Sequence, residues 1–190
     1  MALYEDLAAK VATHISPCPE RTIVDALRDT IRDFCKNTRI WLHDCAPLEV
    51  AVESVRYPLD VPEQSTVIHL WGIEGRKGKY EESPDYYISH ENELVFNELK
   101  SPRQATALVS LMPSLSSDSF PDFINEYFQD YLVSGAVARL QMQPFRDWAE
   151  PNMAAVHYQK YEQGILEAKR MLDDGLNRSK VRNRVKAHYL

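Results

Sequence analysis

Residues 43–45 read His-Asp-Cys, an imidazole, a carboxylate and a thiol in succession. A thiolate activated by a neighbouring imidazole would be a nucleophile. Consecutive side chains at a helix end point in different directions, so His43, Asp44 and Cys45 read as incidental neighbours and not as a catalytic pair. His14 and Cys18 lie four apart, but Pro17 and Pro19 interrupt the helix that would align them. Gly72, Gly75 and Gly78 recur every third residue without matching a phosphate-binding loop, and no helix follows them, so they read as turn chemistry. Zinc-protease spacing and carboxylate clusters are missing. Cys18, Cys35 and Cys45 are odd in number and lack CxxC spacing, which points to reduced thiols. The remaining histidines, His69, His90, His157 and His188, are scattered. The expectation is a chain with no catalytic centre, no cofactor and no metal site.

Positive charge is the other candidate chemistry. Arg76, Lys77 and Lys79 fall in the glycine-rich stretch 72–79, a long basic excursion. Alone it reads as a solvated hairpin tip; as a site it would meet nucleic acid or an acidic neighbour. Residues 178–190 hold Arg178, Lys180, Arg182, Arg184 and Lys186, no acidic residue, and then Tyr189 and Leu190 as apolar anchors. The net charge of −6 therefore divides into +5 for this tail and −11 for residues 1–177. Such a body repels nucleic acid at long range, whereas the tail suits an acidic protein surface or phosphate.

The elements that must carry these groups are legible in outline. Residues 3–13 have Leu3, Leu7 and Val11 one turn apart, and residues 20–38 place Ile23, Leu27, Ile31 and Phe34 on one face with charges opposite, an amphipathic surface helix. Between 41 and 113 the period changes. Segments 50–57, 66–73, 86–89, 94–97 and 106–112 are short, rich in β-branched and aromatic residues, and read as four or five strands, with 90–93 as a tight turn. Residues 113–119 form a proline and serine linker, where Asp118 or Ser119 is placed to cap the next helix.

Two long helices follow, over 121–143 and 151–174, separated by Pro144 and Pro151. Apolar or small residues at Ile124, Phe128, Tyr131, Gly135, Ala138 and Met142, and at Ala154, Tyr158, Tyr161, Ile165, Ala168 and Leu172, step by four and three. That 3.5-residue seam predicts an antiparallel pair, with Gly135 and Ala138 at a close crossing. Apolar residues beyond the seam (Phe123, Tyr127, Leu132, Val137, Leu140; Met153, Val156, Leu166, Met171) predict further contacts, some to the N-terminal helix and some to a neighbouring copy.

The fold class expected is therefore α+β: a helical bundle from 1–42 and 114–177 built on the long antiparallel pair, an inserted small antiparallel β domain at 43–113, and an extended C-terminal arm at 178–190. No apolar run approaches the roughly 18 residues of a membrane span, and the start MALYEDLAAK lacks the basic residues of a signal peptide. No membrane association is expected.

This order of parts, together with YLVSGAVARLQMQPFRDWAEP at 131–151 and its Arg139-Leu140, Pro144, Trp148 and Pro151, resembles the head-to-tail adaptor proteins of tailed bacteriophages, especially the tail tubular protein A type of short-tailed phages. The resemblance implies a structural virion protein and not an enzyme: a homo-oligomeric ring of twelve copies beneath the portal protein. Its tail embraces the portal, its β part meets a downstream tail or nozzle protein, and genomic DNA passes the lumen without sequence-specific binding. Localisation would be the virion's head-to-tail interface, with host cytoplasm during assembly. Two alternatives come from other classes. One is a nucleic-acid-binding packaging accessory protein acting through Arg76, Lys77, Lys79 and the tail; the other is a small cytosolic enzyme with an unrecognised site.

Overall fold

A computed structural model describes residues 1–50, 56–74, 80–81, 85–97 and 103–177. The loop Arg76, Lys77 and Lys79, the tail residues Arg178, Lys180, Arg182, Arg184, Lys186, Tyr189 and Leu190, and positions 51–55 of one expected strand lie outside the described residues. What is described is a mixed helix and sheet protein with small antiparallel sheets.

Helix α1 (Tyr4–Ala12) and helix α2 (Glu20–Thr38) come first. The α2 apolar positions Ile23, Leu27, Ile31 and Phe34 are all buried, as their spacing requires. Arg39 ends the helix in a left-handed conformation, φ 57°, its N–H donating to the Cys35 carbonyl.

Strands follow. The largest sheet takes β2 (Leu42–Asp44), β10 (Ala107–Pro113), β5 (Ser65–Glu74) and β6 (Tyr80–Glu81) in that order. A second has β4 (Arg56–Pro58), β8 (Glu93–Phe96) and β7 (Tyr86–Ile88); β3 (Leu48–Val50) pairs β9 (Arg103–Ala105). The β7–β8 hairpin closes through Ser89 N–H to the Glu93 carbonyl, with Asn92 taking the positive φ such turns need. Trp71 Nε1 donates to Ser110 Oγ at 2.7 Å, and that hydroxyl donates to the Arg39 carbonyl at 2.8 Å, so the sheet is tied to the end of α2.

One expectation fails at the linker. Neither Asp118 nor Ser119 caps the third helix, α3 (Asp122–Gln141), whose N-cap is Pro121 without a side-chain bond. Instead β11 (Ser119–Phe120) pairs β1 (Ala2–Leu3), Ala2 opposite Phe120. Backbone pairing satisfies Ser119 first, and the Met1 ammonium reaches Asp122 Oδ2 at 2.5 Å in the first turn, where an acidic group also favours the helix dipole. Helix α4 (Pro151–Asn177) completes the described chain, opening on a proline that has no donor to waste.

The core is continuous across these parts. Phe34, Phe128 and Tyr161 join α2, α3 and α4, and the same buried cluster runs through Leu111 and Val109 of β10 to Leu94 and Phe96 of β8. In α3, residues 132–138 are buried on every side, because α1, α2 and α4 all pack on this helix.

Candidate functional site

The reactive side chains do not converge. His43 and Asp44 lie in strand β2 and not at a helix end, so their side chains take opposite faces; the Cys45 amide that follows bonds to Ala107. His43 Nε2 sits 2.8 Å from the Asp60 carbonyl. Burial pushes the Cys45 thiol up to about 11, with Asp60 and Asp44 adding to it, and pushes Cys35 up to about 12. Cys18 is raised by burial as well. All three stay protonated at neutral pH, the opposite of an activated nucleophile. His14 meets the edge of the His157 ring, 5.5 Å between centroids, and not Cys18. Among the described residues no group of three or more His, Cys, Asp or Glu is placed to hold a metal ion. None of their helices is long and apolar enough to cross a membrane.

What the sequence does assemble is a helical surface with two unusual features. The first is a reciprocal lock between α3 and α4. A Cβ on Gly135 would lie 2.6 Å from the Tyr161 ring and 2.6 Å from Thr30 Cγ2; a Cβ on Gly164 would lie 2.4 to 2.5 Å from Tyr131 Cγ and Cβ. Each helix thus presents one tyrosine to the other's glycine, 131 facing 164 and 135 facing 161. Tyr161 is held at its far end, its hydroxyl 2.9 Å from Asp33 Oδ2 and 3.2 Å from the Thr30 carbonyl. Burial, then Asp33, pushes that phenol well above its ordinary value. Tyr131 donates to Glu167 at 2.6 Å, and this bond to a carboxylate is the main reason its pKa is raised. The 3.5-residue seam does not single out Gly164; a glycine three residues after Tyr161, matching Tyr131 four before Gly135, is the signal for it.

The second feature is where the seam opens. Met142 and Tyr158, expected inside it, are exposed. They border a groove of about 550 Å³ between α2, α3 and α4, whose floor and walls include Thr30, Gly135, Ala138, Pro151, Ala154 and Ala155. Small residues help to produce it: alanines at 138, 154 and 155 leave space that larger side chains would fill. Asp33 and Arg139 stand on its borders.

Beyond the groove, Leu132, Val137 and Leu140 are consumed by the chain's own core, while Met153, Val156, Leu166 and Met171 on α4 and Tyr127 on α3 are exposed. Over 151–175, α4 buries one narrow stripe and leaves most of the remaining positions exposed. Compared with known proteins, the chain matches no family model and no curated relative.

Proposed function

We propose that the chain is a structural virion protein, a ring-forming head-to-tail adaptor that joins a portal protein to the tail and forms part of the DNA channel. In this reading the helical bundle is built on the long antiparallel pair of α3 and α4, the β part is an insertion meeting a downstream tail or nozzle protein, and residues 178–190 are an arm that docks on the portal. The observation that carries the reading is the surface of α4: Met153, Val156, Leu166 and Met171 are exposed on one long helix whose buried stripe is already satisfied. Scattered exposed apolar residues are ordinary, but four on one helix, beside an apolar groove, favour contact with other subunits. Twelve copies would bring the acidic bodies around the lumen, where passing DNA is not retained.

The arm's composition agrees with the role that the resemblance implies. Five positive charges followed by Tyr189 and Leu190 suit an acidic surface with an apolar pocket. Exposed charge pairs contribute about 0.2–1 kcal/mol each, and repetition around a ring adds avidity. The test is mass measurement of the chain alone and with its cognate portal protein, for the full chain and for a chain ending at residue 177. The full chain is expected to form a ring that binds portal, more weakly as salt rises above 0.1 M and the screening length drops below about 10 Å. The shortened chain should stay folded and soluble but lose most portal affinity. Portal binding unchanged by the truncation would remove the arm from this role.

A further inference from the structure

The loop between α3 and α4 holds a phenylalanine in a costly position. Phe145 is exposed to 102% of its reference value, the most exposed large apolar side chain among the described residues, and its backbone is left-handed at φ 59°. Left-handed backbone is uncommon for bulky residues, and glycine or asparagine is the ordinary choice there. The loop is nevertheless well held: Gln143 N–H donates to the Leu140 carbonyl, Glu150 N–H to Gln141, and Ala149 N–H to Arg146, each at 3.0 Å, while the Arg146 guanidinium lies 5.6 Å from the centre of the Trp148 ring. A fixed turn therefore displays a bare phenyl ring in water, and no contact within the described chain accounts for it.

The groove between α2, α3 and α4 is the matching half. Its 550 Å³ space is bounded by Met142, Ala155 and Tyr158, and Phe145 of the same chain is not among its walls. An aromatic side chain gains most from burial against such apolar and aromatic surfaces. Charge agrees with shape: the ring is followed by Arg146 and Asp147, and the groove is bordered by Asp33 and Arg139, so each charge on the loop has an opposite charge to meet.

We propose that the Phe145 ring of one copy seats in the α2–α3–α4 groove of the next, as the anchor of a head-to-tail contact between identical chains. This rests on the ring reading above and names its contact. Made in one direction only, a knob on one copy and a hole on the next is a heterologous contact, the kind that can close a ring, whereas a reciprocal exchange would stop at a two-fold dimer; a buried aromatic anchor at the centre of an interface carries a large share of its affinity.

Two variants separate the halves. Phe145→Asn removes the ring and suits the left-handed backbone, so the isolated chain should melt at or above the parent temperature. Ala155→Glu sets a charge on the groove wall at an exposed helix position. By sedimentation velocity over a concentration series, each variant alone should need at least tenfold more protein than the parent to associate. An equal mixture should give a discrete 1:1 complex, because one variant supplies an intact groove and the other an intact Phe145. If the parent assembles and Phe145→Asn assembles at the same concentration, the anchor is wrong while the ring stands. A parent that stays monomeric to millimolar concentration overturns the self-contact itself, a mixture that forms no 1:1 complex overturns the pairing of Phe145 with the groove, and a parent that stops at a discrete dimer overturns its head-to-tail sense.

Discussion

At Gly135 a single methyl group would have to share space with a tyrosine ring that cannot step aside, because its hydroxyl is tied to Asp33 and to Thr30 on α2. Removing a helix glycine gains about 1 kcal/mol of propensity, whereas overpacking costs about 1–3 kcal/mol. Overpacking wins where both the ring and Thr30 are buried. Gly135→Leu should therefore lower the melting temperature, by about 2–4 °C for each net 1 kcal/mol in a chain of this size; a melt at or above the parent would place the position in open space. His157 gives a pH effect at the same scale. Its pKa is held below the usual 6.5 by burial first, then by His14 and Lys160, with Glu150 pulling the other way. The unfolded chain then binds this proton more readily, so the contribution is intact above pH 6.5 and is lost as pH falls from there through the lower pKa of the folded state. His157→Gln should flatten the drop in melting temperature between pH 7 and 5; an unchanged slope would show that the imidazole does not titrate differently on folding.

The helices differ in how openly their sequences announce them. Helix α2 was legible to its ends, because Ile23, Leu27, Ile31 and Phe34 face inward while Arg21, Asp29 and Lys36 face out or to the side. The middle of α3 hides its period: 132–138 is buried all round, so neither the polar nor the apolar residues mark a face. Only the alternation of large and small residues marked it, and even that missed Gly164 and the opening at Met142 and Tyr158. Strands of two or three residues, such as β1, β9 and β11, are too short to carry an alternating pattern, which is why Ser119 read as a cap. The candidate site was less legible than the fold, since a groove is set by what three helices leave unfilled. On α4 the outward residues invite a direct trial. Val156→Glu with Leu166→Glu changes exposed positions only, so stability should stay within about 0.5 kcal/mol of the parent per site, while assembly weakens by sedimentation. Equal assembly would show that this face meets nothing.

Over the whole molecule, the buried cluster passes without a break from the helices into the sheets. A shared core couples their melting, so near-UV and far-UV dichroism should report one coincident transition; two separated transitions would mean that the strands form a unit with its own stability. The same continuity has a consequence for a chain made from one end. Ala2 waits for Phe120, and the buried face of α2 waits for Phe128 and Tyr161. Roughly 80 residues separate the end of α2 from the start of α3, which at about 5–20 residues per second is a delay of about 4–16 s on the ribosome. During that interval α1 can already pack on α2, but the part of the α2 face that meets α3 and α4, Phe34 foremost, stands uncovered. A nascent chain stalled near residue 120 should therefore be a better client for an apolar-binding chaperone than one released after residue 177.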